Sequence, residues 1–498
     1  LELYAAGLVV GIQDLGGAGL ACATSETAAR GRVGLDVDVS AVPRREPGME
    51  PFEVMTSESQ ERMLAIVTPE GWDRVAEVCA RWEVRATVVG RVVEPVAGPD
   101  GEPVGWLRVR DGADGAILAE VPASSLADEA PLYDRPRARP SGLDALIADE
   151  PSTDGADARV DLLGLLGDAQ WVHRQYDSML FLNTVVGPGR DAALLRLAGP
   201  GLPPSRRGLA ITTDSNPAWC ALDPRAGTAL TLLEAVSNLA CVGATAVAVV
   251  NCLNFGNPEH PEVMWQLSES VDGLAEACAA LGLPVVGGNV SLYNESGGAD
   301  IDPTPVLGVI GLVDALVARP PGWEWREGDD LVLVGAREAA GDRAHPLGGT
   351  RWARSRGYRG GSLPAVDIPT AARAVEFVAE EVAAACAGRE SAVSAVHDVA
   401  GGGLAVALAE LAASAGVGAR IPSVRGVDEL FSESPGRFLV ATSAAVELVA
   451  RAAALGVDAE VIGSVGGHAL VIDGLLDVDV AALAERQSRA LPVALGVA

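Results

Sequence analysis

Residues 11–20 read GIQDLGGAGL, and residues 395–404 read AVHDVAGGGL. In each stretch a short apolar segment ends at an aspartate, Asp14 or Asp398, and a glycine-rich turn then leads into a helical pattern. The same order of strand, turn and helix at two places indicates that one structural unit occurs twice.

A second pair of motifs follows in the same order. Residues 57–64 read SESQERML and residues 432–439 read SESPGRFL, and each leads into an apolar strand. The second copy is preceded by a long α/β pattern, whereas only thirteen residues precede Asp14. We therefore expect the first copy to be incomplete and the chain to be the C-terminal part of a longer protein.

The repeat and the changes in composition divide the chain. Residues 122–160 are rich in Pro, Asp, Ala and Arg, which is typical of a linker or a surface excursion. Paired prolines near residue 320 mark a second boundary. We expect one domain of the first repeat at 1–121, the linker at 122–160, and two domains of the second repeat at 161–320 and 321–498.

The periodicity of the middle segment predicts an α/β fold built in α+β layers. Residues 228–239 and 261–281 have helical spacing, and residues 244–250 and 284–286 have the β-branched character of strands. This alternation indicates parallel strands. Hydrophobic residues make up 49% of the chain but aromatic residues only 4%, so small aliphatic side chains build the cores.

Charge excludes several classes of protein. The 37 basic residues are all arginines, and 67 acidic residues give a net charge of −30. This balance argues against a nucleic-acid or anionic-lipid partner. The absence of lysine excludes a Schiff-base lysine and a Walker-type phosphate site. No apolar run is long enough to cross a bilayer, and seven scattered cysteines fit a reducing cytoplasm.

Two segments rich in Asn and Gly follow predicted strands. They comprise residues 251–258 and 287–295. In sheets with parallel strands, ligands bind at the carboxyl ends of the strands, and amide side chains with free backbone N–H groups suit a nucleotide phosphate or its metal. The alternative is that these residues only make turns.

Carboxylates end three other strands. Asp14 and Asp398 each open a glycine-rich turn into a helix, where an oxyanion and Mg²⁺ can bind; the alternative is an N-cap with a tight turn. Asp214 is either a metal ligand or the start of an Asx turn. The five histidines have no metal-binding spacing, so we expect structural or surface roles for them.

The segment Glu58-Ser59-Gln60 can hydrogen-bond a sugar or an amide substrate, or it can be a solvated loop. In the second copy Pro435 and Gly436 remove the amide and one carboxylate. We therefore expect the two copies to differ and the first to bind substrate.

Taken together, five motifs resemble one enzyme family. The combination is similar to the large synthetase subunits of phosphoribosylformylglycinamidine synthase, in the aminoimidazole-ribonucleotide synthetase superfamily. The motifs are residues 14–20, 57–62, 175–178, 252–258 and 287–295.

The resemblance implies an ATP-dependent ligase of purine biosynthesis with a duplicated architecture. In it, 161–320 is the ATP-binding-type domain of the second repeat, and 1–121 and 321–498 are the C-terminal-type domains of the first and second repeats. It would convert the amide of formylglycinamide ribonucleotide to an amidine, with ammonia from a glutaminase subunit and with a small accessory subunit in the complex. The implied cofactors are ATP and Mg²⁺. The implied site residues are Asp14 and Asn289 for Mg²⁺, Asn251 and Gly288 for ATP, and Glu58, Ser59, Gln60 and Ser291 for substrate.

Two departures from the family pattern matter. Many relatives have Asp at the position of Asn251. The catalytic histidines and the ATP-site lysine of the family lie in an N-terminal part that this sequence lacks, so no catalytic residue is assigned and we expect this polypeptide not to catalyse the reaction alone.

Two alternatives stay open. One is another superfamily member, such as an aminoimidazole-ribonucleotide synthetase or a small-molecule kinase, although these have one copy of the unit. The other is a non-catalytic scaffold or remnant that retains nucleotide binding, which would bind ATP without consuming it.

Overall fold

The computed structural model describes residues 1–98, 101–199, 201–335, 345–389 and 391–497. The chain divides into two units, Leu1–Asp134 and Arg135–Ala498. The boundary falls inside the segment predicted as a linker. Among the described residues, no helix has both the length and the apolar character needed to traverse a bilayer.

The first unit is a small α/β layer. Strands β1 and β3 form an antiparallel pair, and a four-stranded sheet has the order β4-β2-β7-β8, in which only β2 and β7 run parallel. Helix α2 packs Leu20, Ala23 and Ala28 into the core of this sheet. The elements are α1 (Glu2–Ala5), β1 (Gly11–Asp14), α2 (Gly19–Gly31), β2 (Gly34–Asp38), α3 (Pro51–Thr56), β3 (Met63–Ile66), α4 (Trp72–Arg81), β4 (Gly90–Val93), β5 (Val96–Ala97), β6 (Pro103–Val104), β7 (Trp106–Asp111) and β8 (Ala116–Pro122).

The first half of the second unit forms a six-stranded sheet in the order β13-β12-β16-β11-β10-β9. Strands β12 and β13 are parallel, and the other neighbours are antiparallel. The elements are α5 (Leu143–Ala148), α6 (Ala158–Leu165), α7 (Gln170–His173), β9 (Thr184–Val186), β10 (Ala193–Arg196), β11 (Gly208–Asp214), α8 (Pro217–Leu222), α9 (Pro224–Ala240), β12 (Thr245–Asn254), α10 (Pro261–Leu281), β13 (Val285–Ser291), β14 (Glu295–Ser296), β15 (Ala299–Asp300) and β16 (Thr304–Val313).

The second half forms a seven-stranded sheet in the order β18-β20-β17-β21-β19-β22-β23. One apolar core contains side chains of both sheets together with α9, α10 and α12, and another covers the opposite face with α6, α13 and α16. The elements are β17 (Asp330–Val334), α11 (Arg351–Ser355), α12 (Ile368–Cys386), β18 (Val393–Asp398), α13 (Gly403–Ala415), β19 (Ala419–Ile421), α14 (Val427–Phe431), β20 (Phe438–Thr442), α15 (Ala445–Ala454), β21 (Ala459–Val465), β22 (Ala469–Ile472), β23 (Leu476–Asp479) and α16 (Val480–Ala494).

The two motif pairs fold alike, which confirms the predicted duplication. Asp14 lies opposite Met63 across β1 and β3, and Asp398 lies opposite Phe438 across β18 and β20. The residue after each aspartate donates its N–H to the carbonyl of the motif arginine, at 3.0 Å to Arg62 and 2.8 Å to Arg437.

The predicted helix at 261–281 coincides with α10, but the strands before the two Asn-rich segments are longer than expected. Strand β12 continues to Asn254 and β13 to Ser291. Pairing explains the extension, because β12 stays hydrogen-bonded to β16 as far as Asn254 opposite Thr304. Asn251, Gly288 and Asn289 therefore lie inside strands, not in loops.

Candidate functional site

The parallel pair β12 and β13 brings four of the predicted site residues together. Asn251 lies opposite Gly288, Cys252 opposite Asn289, and Asn254 opposite Ser291. Asn251 and Gly288, implied for ATP, thus lie on one face of the strand pair. Asn289, implied for Mg²⁺, and Ser291, implied for substrate, lie on the other face. Strand β13 is at the edge of the sheet, and its residues from Val285 to Val290 are exposed.

Glycine is required at position 288 by the side chain that faces it. A Cβ at Gly288 would overlap the side-chain oxygen of Asn251, whereas a Cβ at the adjacent Gly287 would meet nothing within 4 Å. The amide of Asn251 therefore lies directly over the backbone of β13. Together they form a narrow polar surface that only glycine permits.

The chain segments after the two strands are held together by hydrogen bonds. The N–H of Phe255 donates to Ser291 at 3.0 Å, and the N–H of Tyr293 donates to Gly256 at 2.9 Å. Asp300 accepts the N–H of Asn257 at 2.7 Å and lies 2.6 Å from His260 Nδ1. The N–H of Asn257 and the His260 ring hold the pKa of Asp300 below its usual value.

In the first unit the structure brings Asp14 and Glu58 to the same turn. Asp14 ends β1 and is exposed, and the carboxylate of Glu58 accepts the N–H of Ala18 at 3.3 Å at the start of α2. Ser59 and Gln60 follow in the same exposed loop. The arginine of the motif, Arg62, donates to the carbonyl of Ser57 and closes the loop.

The second copy repeats these two hydrogen bonds in a buried setting and adds others. Glu433 accepts the N–H groups of Gly402 at 2.6 Å and Arg351 at 2.8 Å. Arg437 donates to the carbonyls of Ser432 at 2.9 Å and Ser434 at 3.1 Å. Burial raises the pKa of Glu433 to about 7, although the two N–H groups that donate to the carboxylate lower it in part.

Sequence reasoning missed a buried charge cluster around His397. The Nδ1 atom of His397 lies 2.5 Å from Asp191, and its Nε2 atom lies 3.0 Å from Glu410. Trp323 donates to Asp191 at 2.8 Å and its ring lies 4.2 Å from the imidazole. The sequence predicted structural or surface roles for the histidines, and for His397 this stays a prediction.

The pKa values in this cluster are displaced in opposite directions. Burial would lower the pKa of His397, but Asp191 and Glu410 raise it well above its usual value, so the ring is an imidazolium at neutral pH. Burial would raise the pKa of Asp191, but the His397 charge lowers it. Burial and the charge of Asp191 together raise the pKa of Asp398.

Ligand atoms of Asp191, His397 and Asp398 all lie within 4.8 Å of one another. Two carboxylates and an imidazole are suitable ligands for a divalent cation, and in the present geometry the imidazolium supplies the positive charge. A cavity of 640 Å³ borders the cluster and is lined by residues that include Arg190, Arg319 and Trp323.

Asp214 belongs to a neighbouring group of acids. Its carboxylate accepts hydrogen bonds from the hydroxyl of Thr212 at 2.9 Å and from the side-chain amide of Asn238 at 3.2 Å. Burial raises the pKa of Asp214. Burial, followed by the charges of Asp214 and Glu433, raises the pKa of Glu234 to about 8.

The repeat contains a signal for part of the missed cluster. Glu410 follows His397 by 13 residues, and Glu26 follows Gln13 by the same 13 residues. The side chain of Gln13 donates a hydrogen bond of 3.4 Å to Glu26. Aligning the two copies would have selected Glu410. Asp191 carries no local signal, because it is 206 residues from His397 in sequence.

Comparison with known proteins agrees with this architecture. The description "AIR synthase related protein, C-terminal domain" matches residues 1–98 and 326–472, and "AIR synthase related protein, N-terminal domain" matches residues 189–313. The doubled C-terminal match corresponds to the two copies of the unit.

Individual relatives carry one name. The chain is 46% identical over 464 residues to the phosphoribosylformylglycinamidine synthase subunit PurL of Parafrankia sp., covering 89% of this chain and 57% of the relative. It is 43% identical over 486 residues to PurL of Moorella thermoacetica, covering 95% and 62%. The chain thus spans less than two thirds of the length of these curated relatives.

Solved structures give the same result. Thermotoga maritima PurL complexed with ATP is 27% identical, with a TM-score of 0.62, over 94% of this chain and 65% of that chain. The same protein complexed with FGAR is 26% identical, with a TM-score of 0.62, over 94% and 63%. The chain therefore belongs to the AIR synthase related protein family, in the branch that resembles PurL.

Proposed function

We propose that this chain is the part of a phosphoribosylformylglycinamidine synthase that contains the loop Glu58-Ser59-Gln60 of the first repeat and the whole second repeat. The reaction replaces the amide oxygen of formylglycinamide ribonucleotide by nitrogen from ammonia, and ATP is split to ADP and phosphate. Glutamine is the proposed source of the ammonia, through a glutaminase subunit, with a small accessory subunit in the same cytoplasmic complex.

The pairing of β12 with β13 is the observation that carries the proposal. It assembles Asn251, Gly288, Asn289 and Ser291 at adjoining positions. The relative from Thermotoga maritima has been solved with ATP, with FGAR and within an assembly named PurLQS. Because side chains alternate along a strand, Asn251 and Gly288 lie on one face of this pair and Asn289 and Ser291 lie on the other. Their placement at the carboxyl ends of two paired strands supports binding of nucleotide and substrate at this end of the sheet.

The proposed roles follow from the donor types. Asp14 in the first unit and Asn289 in the second offer oxygen atoms, the ligands that Mg²⁺ prefers. Bound Mg²⁺ would neutralise phosphate charge, a need that no lysine of this chain can meet. Asn251 and Gly288 present an amide and an open backbone to the nucleotide, without a bulky side chain between them.

The contrast between the two copies supports substrate binding by the first. Glu58, Ser59 and Gln60 are exposed, whereas Glu433 and Ser434 are buried and their loop is closed by internal bonds. A ligand can reach the first loop without unfolding it.

The test is ADP formation by the protein expressed from its complete gene. Formylglycinamide ribonucleotide, ammonium and Mg·ATP should together give ADP and the amidine product, and omission of either the ribonucleotide or ammonium should abolish the amidine. Binding of ATP without any turnover would instead identify a nucleotide-binding scaffold. Turnover with the amidine as substrate would identify an aminoimidazole-ribonucleotide synthetase.

A further inference from the structure

Asn294 joins the ends of the two strands that carry the proposed site. Its Nδ2 atom donates to the carbonyl of Phe255 at 2.9 Å and to the carbonyl of Ser291 at 2.9 Å. Phe255 follows β12 and its side chain is fully buried, so its carbonyl is fixed by the core. Asn294 therefore couples the position of Ser291 to the small apolar cluster of Leu253, Phe255 and Val263.

The backbone around Asn294 is held on both sides. Its N–H donates to Phe255 at 3.2 Å, and its carbonyl accepts the N–H of Ile301 at 3.2 Å. The preceding Tyr293 has a φ of 61°, a left-handed conformation that is uncommon for a residue with a side chain. The carboxamide therefore cannot move away from Ser291 without breaking several bonds.

The orientation of the Asn294 amide follows from its partners. Carbonyl oxygens only accept hydrogen bonds, so the two carbonyls at 2.9 Å must face the NH₂ group. Ser291 Oγ lies 3.2 Å from both Nδ2 and Oδ1. Because the two N–H groups have closer acceptors, the Ser291 hydroxyl donates its proton to Oδ1.

We propose that Asn294 is a positioning residue that fixes the hydroxyl of Ser291 as a hydrogen-bond acceptor toward the ligand. The ligand group at Ser291 is then a donor, a sugar hydroxyl or an amide N–H, and not a phosphate oxygen. This inference rests on the proposed function, because it takes the ribonucleotide substrate as the ligand of Ser291.

The central experiment compares Ser291→Ala, Asn294→Ala and the double variant in the protein expressed from its complete gene. Each single change should raise KM for formylglycinamide ribonucleotide about 5- to 10-fold, the effect of one lost hydrogen bond, with little change in kcat. The double variant should be no worse than either single one, because both remove the same interaction.

Two further variants separate positioning from general stability. Asn294→Asp keeps the size of the side chain but cannot donate to the carbonyls, so it should raise KM at least as much as Asn294→Ala. Asn183→Ala is the control. It removes one hydrogen bond of 2.7 Å from a side-chain amide to the carbonyl of Ala198, elsewhere in the same domain, and should leave KM unchanged.

Inorganic phosphate, used as a competitive inhibitor, tests whether the ligand group at Ser291 is a hydrogen-bond donor and not a phosphate oxygen. Its inhibition constant should be the same for the wild-type protein and for Ser291→Ala. Weaker inhibition of the variant would assign a phosphate contact to Ser291 and overturn the inference.

The remaining outcomes are also distinct. An active wild-type protein whose Asn294→Ala variant keeps its KM, or strictly additive effects in the double variant, would overturn the inference and leave the proposed function intact. A wild-type protein that does not turn over the ribonucleotide would overturn the proposed function itself, and the inference with it.

Discussion

At the scale of single residues, equivalent positions of the repeat have opposite surroundings. Ser59 is exposed in the first copy, and Ser434 is buried in the second. Among the residues that the structure describes, the hydroxyl of Ser434 has no hydrogen-bond partner. The same motif thus serves as a candidate contact surface in one copy and as packing in the other.

Ser59→Ala and Ser434→Ala should therefore have opposite effects. Ser59→Ala should lower kcat/KM for the ribonucleotide by the equivalent of about 1 kcal/mol and leave the unfolding free energy unchanged. Ser434→Ala should leave kcat/KM unchanged and keep or raise the unfolding free energy, because it removes a buried group that is not satisfied. Steady-state kinetics and urea denaturation of both variants would check this, and destabilisation by Ser434→Ala would contradict it.

Glu433 should make stability depend on pH. Its pKa of about 7 in the folded protein lies above the ordinary value of 4.5, so within this window the folded state holds a proton that the unfolded state has released. The contribution of Glu433 to the unfolding free energy should therefore fall as the pH rises from about 4.5 to about 7.

Urea denaturation at the two ends of this window checks the prediction. Glu433→Gln keeps an oxygen for the N–H groups of Gly402 and Arg351 and should flatten the dependence. The exposed Glu447→Gln is the control and should leave it as in the wild-type protein. An unchanged slope in Glu433→Gln would assign the dependence to other groups.

At the scale of the strand pair, Gly287 and Gly288 form a natural comparison. Only position 288 faces the Asn251 side chain, and both glycines have ordinary backbone angles. Gly288→Ala should displace Asn251 and raise KM for ATP, whereas Gly287→Ala should leave it unchanged. Equal KM values for ATP in the two variants would remove the β12–β13 surface from nucleotide binding.

At the scale of a helix, α13 has left-handed glycines at both ends, Gly402 and Gly403 at its start and Gly416 after its last residue. A Cβ at Gly403 would press on the backbone around Ser432, whereas a Cβ at Gly416 would meet nothing within 4 Å. Gly416→Ala should cost about 1–2 kcal/mol of unfolding free energy from the backbone conformation alone. Gly403→Ala should cost clearly more in urea denaturation, and equal costs would show that the helix start can shift.

At the scale of the second unit, His397 ties together segments far apart in the chain. It lies on β18 of the seven-stranded sheet, and Asp191 precedes β10 of the six-stranded sheet. The imidazolium is the cation between two acids, and the ring of Trp323 covers it. The two sheets are thus joined by a buried ion pair as well as by their shared apolar core.

His397→Gln places the residue of the first copy in this position and should lower the unfolding free energy by about 3–5 kcal/mol, because it leaves buried acids without a cation. The raised pKa means that this stabilisation is complete below 6.5 and is lost only as the pH passes the higher folded value. His468→Gln, at an exposed histidine, should have little effect. Adding Asp191→Asn should recover part of the loss, and no recovery would contradict the ion-pair account.

The sequence by itself determined the repeat, the helix at 261–281 and the grouping of the two Asn-rich segments. Each of these depends on residues close in the chain, whose spacing sets which face of a helix or strand they occupy. The register of β12 with β13 came only from the structure, because it depends on pairing between distant segments and shifts between Val249 and Val250.

Only the tertiary structure decided which of the two equivalent loops, the one with Glu58 or the one with Glu433, is buried. It also decided which acids surround His397. Gly436 in the second loop lies against Ala371 of α12 and Leu233 of α9, so helices from distant parts of the chain cover it. The loop of the first copy, with Glu58, is exposed. Burial depends on what packs over a segment and not on the segment itself, so nearly identical motifs acquire opposite surroundings.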